Sequence, residues 1–206
     1  MREVNALLLT MKNPDGIRDT EFSAWLAKEH FPERLRIPGF RSALRFESRT
    51  SPLPALCVYD VDDISVLQSA AYQAISGQNN SPWTCRINAG ASARWRFVGE
   101  RSDAIPHCLP TGGNGTVSEV LIARWRGVRQ RNDETVANAA LSAAATFQHV
   151  TQVRMFVGEN ESGFDYVAVL EASRPFPHEI ADPRRFDADA AECDFAHTFA
   201  PLQPSA

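Results

Sequence analysis

Strand-like and helix-like hydrophobic patterns alternate along this chain. Residues 4–11, VNALLLTM, form a mostly apolar run of strand length, closed by a turn at Asn13, Pro14, Asp15 and Gly16. From Asp19 or Thr20, either of which can cap a helix, the spacing becomes helical: Phe22, Trp25 and Leu26 recur, with His30 one turn beyond Leu26 on the same apolar face. Pro32 donates no backbone hydrogen bond and disfavours helical geometry at Phe31, so a kink, or a short restarted helix through Glu33, Arg34 and Leu35, is expected there. A Pro38-Gly39 turn leads into a second strand, residues 39–48, with Phe40, Leu44 and Phe46 on one face and Arg41, Ala43, Arg45 and Glu47 on the other. Residues 55–61, ALCVYDV, give a third strand. Residues 64–75 give a second helix with Ile64, Leu67, Ala71 and Ile75 as its buried stripe, and SGQNNSPW after it reads as a long loop. Residues 91–98 make a fourth strand, with Trp95 and Phe97 opposite Arg94 and Arg96.

The order βαββαβ predicts an α+β, ferredoxin-like unit: a four-stranded antiparallel sheet with two helices on one face and the other face bare. Residues 101–116, rich in proline and glycine, read as a linker. The plan then repeats at an offset of roughly one hundred and ten residues: a strand at 117–126, an alanine-rich helix at 132–147 capped by Asn132 or Asp133, and strands at 150–157 and 164–171. A last helix at 183–191 and a strand at 193–199 complete it. The expected organisation is a first repeat over residues 1–100 that carries the site, a linker, and a degenerate second repeat over 117–206, with only small residues where His30 would fall. Two such sheets, packed face to face, would make an intramolecular α/β barrel. That is a pseudo-dimer within one chain, and finished barrels could still pair as a homodimer.

Composition narrows the partners. A formal charge of -4 and a pI near 5.7 show no basic bias, which argues against nucleic acid. No apolar run approaches the roughly 18 residues of a membrane span, and ALLLTM is too short for a signal-peptide core, so a cytoplasmic protein without membrane partners is expected. Cys57, Cys85, Cys108 and Cys193 lack CxxC spacing, and His107, His149, His178 and His197 lack paired ligand spacing; neither disulfide nor metal site is expected. TGGNG at 111–115 lacks the lysine of a phosphate loop, which leaves no nucleotide-cofactor signature.

Residues 22–46, FSAWLAKEHFPERLRIPGFRSALRF, followed by LCVYDVDD, SAAYQAI and the SPW of 81–83, resemble the dimeric α/β barrel superfamily, and within it the EthD-like and related small ring-modifying proteins. EHFPERLRIPGF is the specific part. The resemblance covers most of residues 4–98, while 117–199 match only in element order. It implies a ligand cavity between sheet and helices, in a superfamily that includes cofactor-free monooxygenases, lactone isomerases, polyketide cyclases, decarboxylases and haem-handling branches; fold alone constrains the reaction poorly. His30, matching a histidine at the corresponding helix end of related enzymes, is the implied proton carrier, with an unperturbed pKa of about 6.5. Glu29 diverges from it by about a hundred degrees and reads as solvated.

Trp25, Tyr72 and Trp83 are candidates to hold a flat apolar substrate, although aromatics at helical spacing are more often plain core. Among Arg41, Arg45, Arg94, Arg96, Arg124 and Arg154, some are expected between the sheets. Arg45 and Arg94 are the candidates to grip a substrate carboxylate, against the commoner alternative of salt bridges to Glu47, Asp60 or Glu119. The expected function is a small-molecule enzyme without tightly bound cofactor, an isomerase, lyase or cofactor-free oxygenase acting through His30 on a cyclic or aromatic compound. The alternatives are a non-catalytic or stress-related barrel that holds a hydrophobic ligand and, behind both, a haem-binding barrel.

Overall fold

Eight strands form, some on apolar runs and some on alternating stretches: β1 (Ala6–Asn13), β2 (Leu44–Glu47), β3 (Ala55–Val61), β4 (Ala93–Arg101), β5 (Glu119–Val128), β6 (Val150–Asn160), β7 (Gly163–Ala172) and β8 (Cys193–Pro201). The computed structural model describes residues 3–106, 108–189 and 191–202; His107 lies outside them. The first four strands hydrogen-bond in the order β4-β1-β3-β2 and the last four in the equivalent order β8-β5-β7-β6. β2 then pairs with β8, and β4 with β6, all antiparallel, so the two sheets close into one barrel. The α+β barrel expected of one chain is the observed architecture. Among the described strands no edge is left for another chain to extend.

Period-two alternation sorts side chains between the barrel interior and its outside. Leu7, Leu9 and Met11 of β1 point inward with Phe46, Val58, Phe97, Ile122, Phe156 and Val169, and form a core drawn from both halves. One end of that core is ionic. Arg154 lies 2.6 Å from Asp60 and 3.2 Å from Glu171, and none of the three side chains is exposed. The 101–116 segment, besides connecting the halves, seals this end: the Thr111 N–H donates to Asp60 Oδ2 at 2.7 Å and the Gly112 N–H to Glu171 Oε2 at 2.9 Å. Arg154 also donates to the Thr111 hydroxyl at 2.7 Å.

Outside the barrel the halves differ. α5 (Asp133–Ala145) lays Val136, Ala137, Ala140, Ala143 and Ala144 flat against the second sheet, because methyl-sized side chains let helix and sheet approach closely. Over the first sheet, bulky Phe22, Trp25, Phe40, Tyr59 and Tyr72 hold the helices away.

Several elements depart from the sequence reading. Phe40 and Phe46 occupy different layers, since strand pairing lapses over residues 41–43 and resets the alternation. The second helix is broken: a 3-10 turn at Ile64–Gln68 precedes α3 (Ala70–Gln73), and extended backbone at Ser69 between them turns Tyr72 inward and leaves Ala71 exposed. The supposed loop instead ends in α4 (Pro82–Ala89), which Ser81 caps by accepting from the Thr84 N–H, with Pro82 in the first turn where its missing donor costs nothing. In the second half, 3-10 turns at His178–Ala181 and Pro183–Phe186 replace the expected helix, each too short for an α-helical ladder and each bounded by proline.

Candidate functional site

Asp19 and Glu21 sit in the first turn of α1 (Asp19–Trp25), where carboxylates complement the helix dipole. Residues Leu26–His30 then adopt π geometry and α2 (Phe31–Leu35) continues, so the helix is widened ahead of Pro32 and not broken. The Phe31 N–H reaches back five residues to the Leu26 carbonyl, which relieves the clash of the proline ring with the preceding turn. The wide turn also changes which side chains share a face. On an α-helix Trp25 and His30 would lie about 140° apart; here their ring centroids are 4.2 Å apart.

His30 faces a cleft of about 570 Å³ between these helices and the outer face of β1, β3 and β4. Lys12 and Thr10 of β1, Tyr59 of β3, Arg94, Trp95 and Arg96 of β4, Arg34 of α2, Tyr72 of α3 and Thr84 of α4 line it as well. Two of the buried polar atoms that lack a hydrogen-bond partner, His30 Nδ1 and the Tyr59 hydroxyl, belong to this lining. The Tyr59 ring stands edge-on to His30 at 6.1 Å. Burial, reinforced by the charges of Arg34 and Lys12, pushes the His30 imidazolium down to about 2, so the ring is neutral at physiological pH. Burial raises the Tyr59 phenol well above its ordinary value. Lys12 donates to Asn88 Oδ1 at 2.6 Å and sits over the Trp25 ring; burial, with Arg94 and Arg34 nearby, lowers its ammonium.

A chain of hydrogen bonds ties together the residues around the imidazole. Ser81 Oγ and Thr84 Oγ1 donate to Glu29 Oε1 at 2.5 and 3.3 Å, and Trp25 Nε1 donates to Thr84 Oγ1 at 3.0 Å beneath the His30 ring. Glu29 is therefore not a solvated residue: it ties α4 to the π turn.

The structure brings His30, Tyr72 and Arg94 together at the cleft. Trp25 is buried behind His30, Trp83 is half-buried at the edge of the same apolar layer, and neither joins the lining. Arg45 points to α1, donating to Ser23 Oγ at 2.6 Å and Asp19 Oδ1 at 2.9 Å. Arg41 pairs with Asp62, and of the six arginines only Arg124 and Arg154 reach the barrel interior, each already paired with acid. Lys12 and Thr84 enter the site unannounced by motif; Arg34 and Tyr59 lie within the stretches that carry the family resemblance, and Arg96 among the arginines considered, but the sequence singles out none of the three as a site residue. For Lys12 a signal existed in the alternation of Leu8, Thr10 and Lys12 along β1.

Two other clefts are of similar or larger size. One, of about 550 Å³ at a barrel mouth, contains Arg126 paired with Asp194 at 2.6 Å; the other, of about 810 Å³, runs past Glu47, Glu119 and His178. Among the described residues neither is lined by a buried polar atom that lacks a partner, so the chemistry points to the cleft beside His30. Among the described residues no cluster of three or more His, Cys, Asp or Glu could hold a metal ion, and no helix is long and apolar enough to cross a membrane.

Solved structures match this chain over nearly their whole length. An anthrone oxidase-like protein superposes with a TM-score of 0.62 at 9% identity, covering 98% of this chain and 92% of that one. A chlorite dismutase-like protein gives 0.57 at 8% identity, covering 99% and 96%. The fold is that of the dimeric α+β barrel proteins. A heme-binding protein from Thermus thermophilus also matches, with a TM-score of 0.51 at 14% identity over 98% of this chain and 93% of that one. No family model and no curated protein sequence matches the chain.

Proposed function

We propose that this barrel is a small-molecule enzyme that moves a proton on a cyclic or aromatic compound held in the cleft beside His30. The observation that carries this reading is a neutral imidazole, its Nδ1 without a protein partner, fixed on Trp25 at the wall of a cleft large enough for a ring compound. Tyr72 stacks on Phe40 at 6.1 Å and offers an aromatic surface to the ligand. His30 accepts the proton from the substrate, and Lys12 and Arg34 stabilise the negative charge that this transfer leaves behind. An isomerase, lyase or cofactor-free oxygenase would each begin with such a step. The depressed His30 pKa also favours a second reading, a barrel that binds a ring compound without transforming it, because so weak a base acts only when the ligand alters its surroundings.

Haem fits the residues poorly. Among the described residues His30 is the single histidine of the cleft lining, and one face of its ring is covered by Trp25. The matching position over the second sheet is filled by the alanines of α5.

The test is product formation from a panel of lactones and phenols with wild type and His30→Ala. A turnover lost by about a hundredfold or more in the variant is expected of a general base. Turnover indifferent to the substitution would refute the role of His30, and binding of the panel without any product would favour the non-catalytic barrel.

A further inference from the structure

Among the described residues the cleft holds four cationic side chains, Lys12, Arg34, Arg94 and Arg96, and no carboxylate in its lining. Lys12 and Arg94 are direct cross-strand partners on one face of the β1–β4 ladder, a juxtaposition of like charges that destabilises a sheet unless something offsets it. Arg34 is the sharper case. Its side chain is 6% exposed, yet its nearest carboxylate, Glu33, lies 3.9 Å away, at the limit of an ion pair. Its other partners are the Ile75 carbonyl at 3.4 Å and the face of Tyr72 at 5.3 Å. Burial and the neighbouring Glu29 hold the Glu33 carboxyl above its ordinary range, the opposite of what a firm pair with Arg34 would do.

The other described arginines with a side chain at most 10% exposed are all answered by acid. Arg154 has Asp60 at 2.6 Å, Arg124 has Asp194 at 2.8 and 2.9 Å, and Arg45 has Asp19 at 2.9 Å. A buried guanidinium without a close counter-charge is costly, and this one lies on a cavity wall.

We infer that the ligand of this cleft carries an oxyanion, a carboxylate or its equivalent, and that Arg34, assisted by Lys12 and by Arg94 and Arg96, is the counter-ion that recognises it. The inference rests on the cleft being the ligand site proposed above, and names the substrate class. An anion seated on Arg34 and Lys12 would also offset the two charges that add to the effect of burial on the imidazole, and so raise its pKa. Tyr72 then places the guanidinium over an aromatic face while the ring of the ligand occupies the apolar part of the cleft.

The test compares 2-naphthoate with its neutral isostere 2-naphthamide by calorimetry on the full chain at fixed ionic strength. The acid should bind at least about tenfold more tightly than the amide, and Lys12→Met and Arg34→Met should each erase most of that preference while changing amide affinity less than about twofold. If Arg34→Met fails to fold, Lys12→Met and Arg96→Gln decide. Equal affinity for acid and amide, no binding of the acid at millimolar concentration, or a preference unmoved by these variants would overturn the inference. The failures of the two readings are separable. Anion preference without turnover of any compound sustains the inference and removes the enzyme; His30-dependent turnover of neutral rings without anion preference does the reverse.

Discussion

Replacing His30 by glutamine should remove a specific, pH-dependent loss of stability. In the folded protein the imidazolium is pushed down to about 2 by burial and by Arg34 and Lys12, whereas an unfolded histidine titrates near 6.5. Above pH 7 the ring is neutral in both states and contributes nothing. Below 6.5 the unfolded chain takes up a proton that the native state refuses, so native stability rises with pH through this window and falls by about 1.4 kcal/mol for each unit of acidification. Two units, from pH 6.5 to 4.5, amount to ~2.7 kcal/mol. Urea unfolding of wild type and His30→Gln at intervals between pH 7.5 and 4.5 isolates the effect, because carboxylates titrating at the acid end are common to both proteins and cancel in the difference. The wild-type-minus-variant stability should be flat above pH 7 and then decline with that slope. A difference curve that stays flat to pH 4.5 would show that the native ring protonates freely, and the enclosed, cation-flanked imidazole on which the functional reading depends would be refuted. Saturation with 2-naphthoate should shallow the slope if the anion lies where we place it.

The ionic end of the barrel offers a second measurement. Asp60→Asn leaves Arg154 with Glu171 alone and presents an amide N–H to the guanidinium, so a loss of roughly 3–5 kcal/mol is expected; Asp62→Asn, in the half-exposed pair with Arg41, should cost under about 1 kcal/mol, and equal effects in urea would contradict the assigned burial. Burial would raise the Asp60 carboxyl, but Arg154, Ser42 and the Thr111 N–H outweigh it and hold it low; its stabilisation is present above the ordinary carboxylate pKa and is lost as pH falls through the lower folded value, a contribution that should vanish in Asp60→Asn. Gly39 has φ +98°, and an added Cβ would lie 2.5 Å from Val66 Cγ2, so Gly39→Ala should lose about 1 kcal/mol or more, and an unchanged melting temperature would refute that strain. Titration with hemin should give no saturable, His30-dependent Soret band; a band abolished in His30→Ala would restore the haem reading.

Much of the first half could be read locally. The strand-length apolar runs VNALLLTM and ALCVYDV, the proline-glycine turn at 38–39 and the helical stripe through Phe22, Trp25 and Leu26 are short-range patterns that tertiary packing left in place. The capping serine of SPW was present too, but a polar stretch of loop composition hid it. Elements failed where the local pattern was continuous and the backbone was not, as at Ser69, whose extended conformation rotates the face that α3 turns inward.

The site divides along the same line. A single sequence determines that His30 leaves a helix beside aromatics and just ahead of a proline, because those facts depend on residues within one or two turns. Only the tertiary structure decides that the turn takes π geometry and brings His30 against Trp25, that Glu29 reaches Ser81 and Thr84 more than fifty residues away, and that Arg34 is buried without a close acid while Arg154 finds two. Ion pairing and burial depend on which strands and helices become neighbours. In this chain those neighbours are set by closure of the barrel and by the bulk of the aromatic layer over its first sheet, neither of which any one segment encodes.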